Sequence, residues 1–389
     1  MEILKIPVLL HDCGTPVIVS GVALKLSEIF RHGSNLARHG VLQVFMLCHD
    51  MWNRLGSVDL ILKNILAVMD SNDHRSRALS MRLMGVLAPQ LHGSLDVLML
   101  TRDTLESPVA VEYQAAYFAA RRLIASSPRI PDDIRKSLQA ALLSPKTTPA
   151  ERILTLRCFT AVKETKQAAI IFDFLQHWIA TASSHDMSPG VKAQAVAALT
   201  RLVLLLPSHR QTFLGQLCVI ATGSQRHEDV VAIRCAQSLG QLCRVVPPSQ
   251  GLEPAALLQW LSEAVTVGSS ASTAALLTAL AKLLRADPST LTPPLEVVSV
   301  LARHLWEDNS TPQRRWSPAV HVAGGLLVLS LCELHQGSAA AEDDAQPTLA
   351  AKVALPLLIR QLIRHIAPAA EACRQFFGSA LRSVYANVV

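Results

Sequence analysis

The chain has 389 residues, 50% of them hydrophobic and 17% charged, which is enough apolar material for two or three compact domains or one extended repeat array. Aromatics make up only 4%, and the apolar content is mostly Ala, Leu and Val, a composition that favours closely packed helices over sheets. The net charge of +6 comes from 36 basic and 30 acidic residues scattered along the chain, with no basic run longer than two, so the charge argues against direct nucleic-acid binding.

The opening "MEILKIPVLLHDCG" has an apolar core too short for a signal peptide and no small-residue cleavage site. The first 16 residues lack a clear partner and read as an exposed, unpaired start. In "FRHGSNLARHG" at 30–40, His32 and His39 flank a turn at Gly33-Ser34. A helix is predicted over 58–69, followed by the stretch "SNDHRSRALSMRLMGVLA" at 71–88. There Asn72 or Asp73 is placed to cap a helix start, since a side-chain oxygen satisfies an orphan backbone N–H. Met81, Met84 and Ala88 define its buried face. Arg75 and Arg82, seven residues apart, share a face roughly opposed to Met81 and Met84, and Arg77 flanks it. The plain reading of Arg75, Arg77 and Arg82 is a solvated face with salt bridges to the adjacent repeat. The alternative is a polar contact with a phosphate or an acidic peptide of a partner.

From there a register emerges. Ala115, Thr155, Ala195, Cys235 and Ala275 are spaced by 40 residues each, and the positions one, four and eight further on are apolar in every case but Lys163. Those offsets lie on one helical face. Setting Gly85 against Gly240 brings the 71–88 stretch into the series, one repeat earlier with a shorter spacer. Pro108, Pro149 and Pro189 sit near the starts of the following members, where the missing N–H costs little. Partner helices are predicted at about 94–105, 132–143, 168–182, 210–222 and 254–267. Two helices per period of about 40 residues is the pattern of an all-α, HEAT/armadillo-like α-solenoid superhelix, in which stacked pairs bury faces that no pair buries alone. The array is expected over 1–336. Residues 337–348, "GSAAAEDDAQPT", read as an acidic loop, and 349–389 as C-terminal helices capping the array. The longest uncharged run, Ala264 to Ala281, contains Gly268 and several serines and threonines, so a buried repeat helix explains it better than a membrane span.

No catalytic, cofactor or metal set is visible. None of the eight cysteines forms a Cys-x-x-Cys pair, and most lie among apolar neighbours, as buried thiols do in a reducing compartment. Cys235 and Cys243 fall on one predicted helix about 12 Å apart, too far for a disulfide. His321, Cys332 and His335 are suggestive but follow no ligand-spacing rule. No phosphate-binding loop, nucleophile elbow or zincin motif occurs. Gly324-Gly325, in an apolar helical stretch, is better suited to close packing than to cradling a phosphate.

Three segments, "ALKLSEIFRHGSNLARHGVLQV" at 23–44, "SNDHRSRALSMRLMGVLA" at 71–88 and "EYQAAYFAA" at 112–120, together resemble the N-terminal region of the Integrator complex subunit 7 family in order and separation. The similarity is clear over about 18–125 and diffuse beyond. It implies a non-catalytic helical-repeat scaffold in the nucleus, whose partners are other Integrator subunits and, indirectly, RNA polymerase II. That assembly acts in small nuclear RNA 3′-end processing and in transcription attenuation and termination, with a further link to the DNA-damage response. The resemblance implies no enzyme activity, no cofactor and no membrane association. Relative to full-length members the chain is much shorter, as a short homologue, an isoform or an incomplete gene model would be. Periodicity alone fits a transport or coat-type adaptor of the adaptin or karyopherin kind equally well.

Overall fold

A computed structural model describes residues 6–13, 15–56, 58–181, 187–224, 229–245, 254–266 and 268–286, with Val320, Ala323, Gly324 and Leu327. Among the described residues there are helices and turns and no strand. The acidic stretch 337–348 and the C-terminal 349–389 lie outside the described residues. The chain divides into two compact units, Met1–Leu206 and Pro207–Val389.

In the first unit, α1 (Ile6–Cys13) precedes two rows of helices. One row holds α2 (Pro16–His32), α4 (Asp59–Met69), α7 (Leu95–Leu105), α9 (Asp132–Leu143) and α11 (Thr165–Thr181). The other holds α3 (Asn35–Leu47), α5 (His74–Val86), α8 (Ala110–Ser126), α10 (Pro149–Phe159) and α12 (Pro189–Leu205). A short helix, α6 (Ala88–Leu91), follows α5 directly. Each helix of the first row packs on the next helix in the chain, and the second row is continuous: α3 on α5, α5 on α8, α8 on α10, α10 on α12. This is the all-α helical repeat that the 40-residue register predicts.

Local chemistry sets the helix starts. Thr148 and Glu151 form a reciprocal capping box on α10, with Pro149 in the first turn. Asp73, one of the two expected caps, accepts from the Arg75 amide at 3.0 Å and starts α5. Ser34 caps α3. Gly33 before it is required by space: a Cβ there would stand 2.6 Å from the Ile29 carbonyl oxygen. The α3–α4 connection is pinned by Trp52, which stacks on Phe45 with ring centroids 4.4 Å apart and donates its indole N–H to the Phe45 carbonyl.

The register is a burial register. Of the positions it defines from Ala115 onward, all are buried except Lys163, which lies past the end of α10, and Ala275, which is half-buried. Met81, Met84 and Ala88 are buried as expected.

Two expectations are corrected. Residues 6–13 are not an unpaired start but a helix, α1, that packs on α2 and α3 and buries Leu10 in the same core. The uncharged run Ala264–Ala281, expected as a buried repeat helix, is shared by two helices, as the predicted 254–267 helix and the register member at Ala275 require. In the second unit it crosses from α15 (Pro254–Thr266) to α16 (Ser270–Ala286). Gly268 closes the first by donating to the Ala264 carbonyl, and the Ser269 hydroxyl accepts from the Ser272 amide at the start of the second. Turn chemistry overrides apolar continuity there.

The second unit also contains a 3-10 turn (Pro207–His209), α13 (Arg210–Ser224) and α14 (Asp229–Leu242). Helix α13 packs on α14 and α15, and α16 packs on the same two, again two pairs side by side.

Gly85 and Gly240, aligned by the register, meet the same register position of the next helix in their row. A Cβ on Gly85 would stand 2.9 Å from Ala119 Cα, backbone that cannot yield; one on Gly240 would stand 3.6 Å from Ala279, an ordinary contact. Gly85→Ala is therefore expected to destabilise the chain by roughly 1–3 kcal/mol through overpacking. Gly240→Ala is expected to be neutral or to stabilise by up to about 1 kcal/mol through helix propensity. Denaturant titration of both variants checks the contrast, and equal effects would contradict it. Leu199→Ala and Leu239→Ala, at fully packed register positions, are each expected to cost about 2–5 kcal/mol by the same measurement.

Candidate functional site

Polar side chains that join neighbouring repeats gather where the second-row helices begin. Asn35 of α3 donates to the Asp73 carboxylate, and the Ser76 hydroxyl lies 2.8 Å from Asn35 Oδ1 and 2.7 Å from Asp73 Oδ2. Arg38 donates to Ser76 Oγ at 2.8 Å and to the Phe30 carbonyl at 2.9 Å, tying the α2 end to α5. The bonds from Asn35 and Ser76, with the Arg75 amide, hold the Asp73 carboxyl far below the usual carboxylate range.

One repeat on, Glu112 of α8 is the carboxylate that joins α8 to α5. Its Oε1 is 2.8 Å from Arg77 Nε, 2.6 Å from Arg77 Nη2 and 2.9 Å from His74 Nδ1, and Ser107 donates to its Oε2 at 2.6 Å. Arg77 also donates to the Ser71 carbonyl at 2.6 Å. Burial pushes the Glu112 carboxyl up, but the bonds from Ser107, His74 and Arg77, with the Arg77 charge, outweigh it and leave the group below its ordinary value.

The next junction is uncharged: Thr155 of α10 donates to the Tyr117 hydroxyl at 3.1 Å, and the Cys158 thiol lies 3.5 Å from the Tyr117 carbonyl oxygen. Burial pushes the Tyr117 phenol up to about 12.

The three arginines singled out by sequence therefore separate. Arg77 turns inward as half of a nearly buried ion pair, the salt bridge to an adjacent repeat. Arg75 is exposed and Arg82 half-buried, both away from the Met81 and Met84 side. His32 and His39 are exposed on either side of the Gly33-Ser34 turn. Sequence reasoning missed Glu112, although a signal exists: Arg77, Glu112, Arg152 and Lys192 all stand three residues before a register position, and each is charged.

Charge is also divided between the rows. The five second-row helices carry two carboxylates, Glu112 and Glu151, both already engaged, against ten arginines and lysines; the first-row helices carry seven of each sign.

Among the described residues no group of three or more His, Cys, Asp or Glu is arranged to hold a metal ion, and no helix is long and apolar enough to cross a membrane. His321, Cys332 and His335 lie outside the described residues. Cys48, Cys158, Cys218, Cys235 and Cys243 are free and buried. Burial pushes the thiols of Cys158, Cys235 and Cys243 up to about 12 and that of Cys218 up to about 11. Such groups are inert as nucleophiles near neutral pH.

These features define an α-helical repeat protein whose described polar clusters fasten one repeat to the next. Residues 1–191 match the family model "Integrator complex subunit 7, N-terminal", a wider span than the 18–125 over which the sequence resemblance is clear. The Dictyostelium discoideum protein "Integrator complex subunit 7 homolog" is 30% identical over 145 residues, covering 37% of this chain and 14% of that relative. Human Integrator complex subunit 7 is 32% identical over 125 residues, covering 32% of this chain and 13% of the human protein. The Danio rerio protein of the same name is 34% identical over 114 residues, covering 29% of this chain and 12% of its own length. Residues 1–191, just under half of the chain, are thus similar to the N-terminal part of the Integrator complex subunit 7 family, and the matches span a minor part of these relatives' length.

Two measurements bear on the clusters. Arg77→Ala leaves the buried Glu112 with His74 and Ser107 but without its guanidinium, and because those partners remain and Arg77 retains some solvent contact the cost is expected at or below the lower end of about 3–5 kcal/mol. Since the folded Glu112 pKa lies below its ordinary 4.5, its contribution is present above that pH and is lost as pH falls through the folded value. The stability gap between the parent and Glu112→Gln should therefore narrow on acidification, as denaturant titrations at neutral and acid pH would show. In iodoacetamide labelling followed by peptide mapping, Cys158, Cys235 and Cys243 should stay unmodified in the native chain and react fully in denaturant.

Proposed function

We propose that this chain is a non-catalytic helical-repeat scaffold within the nuclear Integrator complex, where it supports small nuclear RNA 3′-end processing and transcription attenuation and termination by RNA polymerase II. The observation that carries this reading is the family match over residues 1–191. The interior supports it: the buried thiols, the Glu112 carboxylate and the Tyr117 phenol are all engaged in packing or in bonds between repeats, as in a protein whose work is holding shape. Helical-repeat proteins bind over extended surfaces, so partner affinity would be spread across several repeats. Arg75 and Arg82 are the proposed polar contacts within that surface, and Arg77 supports it from beneath through Glu112.

Affinity purification of the tagged chain from nuclear extract, followed by mass spectrometry, tests the proposal. Other Integrator subunits should be recovered, with RNA polymerase II in lower yield, and their absence would overturn it. Arg75→Glu with Arg82→Glu, leaving Arg77 in place, should reduce that recovery while preserving the helical circular dichroism signal.

A further inference from the structure

The excess positive charge of the second row is ordered. Arg82 of α5 and Arg157 of α10 each stand two residues after a register position; Arg121 of α8 and Arg201 of α12 each stand six after one. Arg75 stands five before. At about 100° per residue these offsets fall within about 40° of one another, on the side away from the register face. The levels of Arg82 and Arg157 and of Arg121 and Arg201 differ by four residues, about 6 Å along the helix, and Arg75 stands seven residues, about 10 Å, before the first of them. Arg75, Arg121, Arg157 and Arg201 are exposed and Arg82 half-buried. Among the described residues no carboxylate stands within ion-pair distance of any of them. The helical positions that share this sector, five and one before and two and six after each register position, hold no Asp or Glu on any of the four helices.

Unpaired arginines on four adjacent helices, with Arg82, Arg121, Arg157 and Arg201 at nearly one level and Arg75 further toward the start of α5, make a row with a definite pitch. Packed helices are about 8–10 Å apart. An extended peptide in the polyproline II conformation advances about 3.1 Å per residue with three residues per turn, so an acidic residue at every third position stays on one face and would meet successive helices. Gln114 of α8 and Gln194 of α12 share the sector, and an amide both donates to and accepts from a peptide backbone. A single-stranded nucleic acid would instead require aromatic platforms, and no Phe, Tyr or Trp of the four helices stands exposed.

We propose that this face, built by Arg75, Arg82, Arg121, Arg157 and Arg201, is a docking surface for an extended acidic peptide segment of a partner protein. The surface belongs to the chain itself and is independent of the assembly in which the chain works. The test uses the purified full chain and a fluorescein-labelled Gly-Ser peptide of about twelve residues with glutamate at every third position. Anisotropy titrations at low salt should show binding that weakens steeply as salt rises and disappears when the glutamates are replaced by glutamine.

Arg121→Ala, Arg157→Ala and Arg201→Ala combined should weaken binding roughly tenfold or more, because the lost charges face the peptide directly. Lys63→Ala, Lys136→Ala and Lys166→Ala combined, on the first row, should leave it unchanged. Hydrogen exchange of the parent chain, which needs no variant to fold, should slow in α5, α8, α10 and α12 when the peptide is added. No binding by the parent, equal losses in the two triple variants, protection confined to other helices, or tighter binding of a charge-matched oligouridylate would each overturn the proposal. These outcomes are read without Integrator subunits, so they stand or fall separately from the co-purification result.

Discussion

The close approach of α5 to α8 is the constraint from which the rest of the first unit follows. Gly85 lies against Ala119 so closely that a methyl group would strike backbone. That approach brings the start of α5 beside the start of α8, close enough for Arg77 to reach Glu112. It also turns Met81 and Met84 inward and leaves Arg75 on the other side. Small residues along the α8 face, Ala115, Ala116, Ala119 and Ala120, keep the helices near each other where larger ones would separate them. The low aromatic and high alanine content of the chain is the compositional trace of this packing.

Much of this was legible in sequence because a helical repeat writes its core as a period. The partner helices fall where apolar spacing and caps placed them, with α4, α7 and α9 within a residue of expectation. The misses have specific causes. Helix α1 was overlooked because eight residues give too few turns for periodicity to register, and its partners α2 and α3 are defined only by packing. Within the Ala264–Ala281 run, the expected helix at 254–267 and the register member at Ala275 are both present, and what apolar continuity hides is the turn between them, made by one glycine and one serine. Glu112 was passed over because its partner lies 35 residues away, and pairing across a repeat is invisible to a search along one helix.

The two rows divide the electrostatic work. Opposite charges mixed on the first row neutralise one another, as on an ordinary solvated surface. On the second row the two carboxylates are consumed internally, Glu112 by Arg77 and Glu151 by the α10 cap. A surface dominated by one sign results without any basic cluster in the linear sequence, with the Asp73 cap of α5 held by Asn35 and Ser76, which is why a net charge of +6 spread over 389 residues conveys so little by itself.

The junctions between successive second-row helices are not chemically alike. Those from α3 to α5 and from α5 to α8 are fastened by carboxylates and guanidinium groups, whereas the junction from α8 to α10 is fastened by hydroxyl groups and a thiol. Because each repeat touches only its neighbours, a change in solvent acts on each fastening separately. As pH falls, Glu112, held below its ordinary value against the opposing effect of burial, takes up a proton before Asp73, held far below the carboxylate range, and the third junction stays closed. The unit thus carries an order of unfastening on acidification, with the junction between α5 and α8 releasing before the one between α3 and α5.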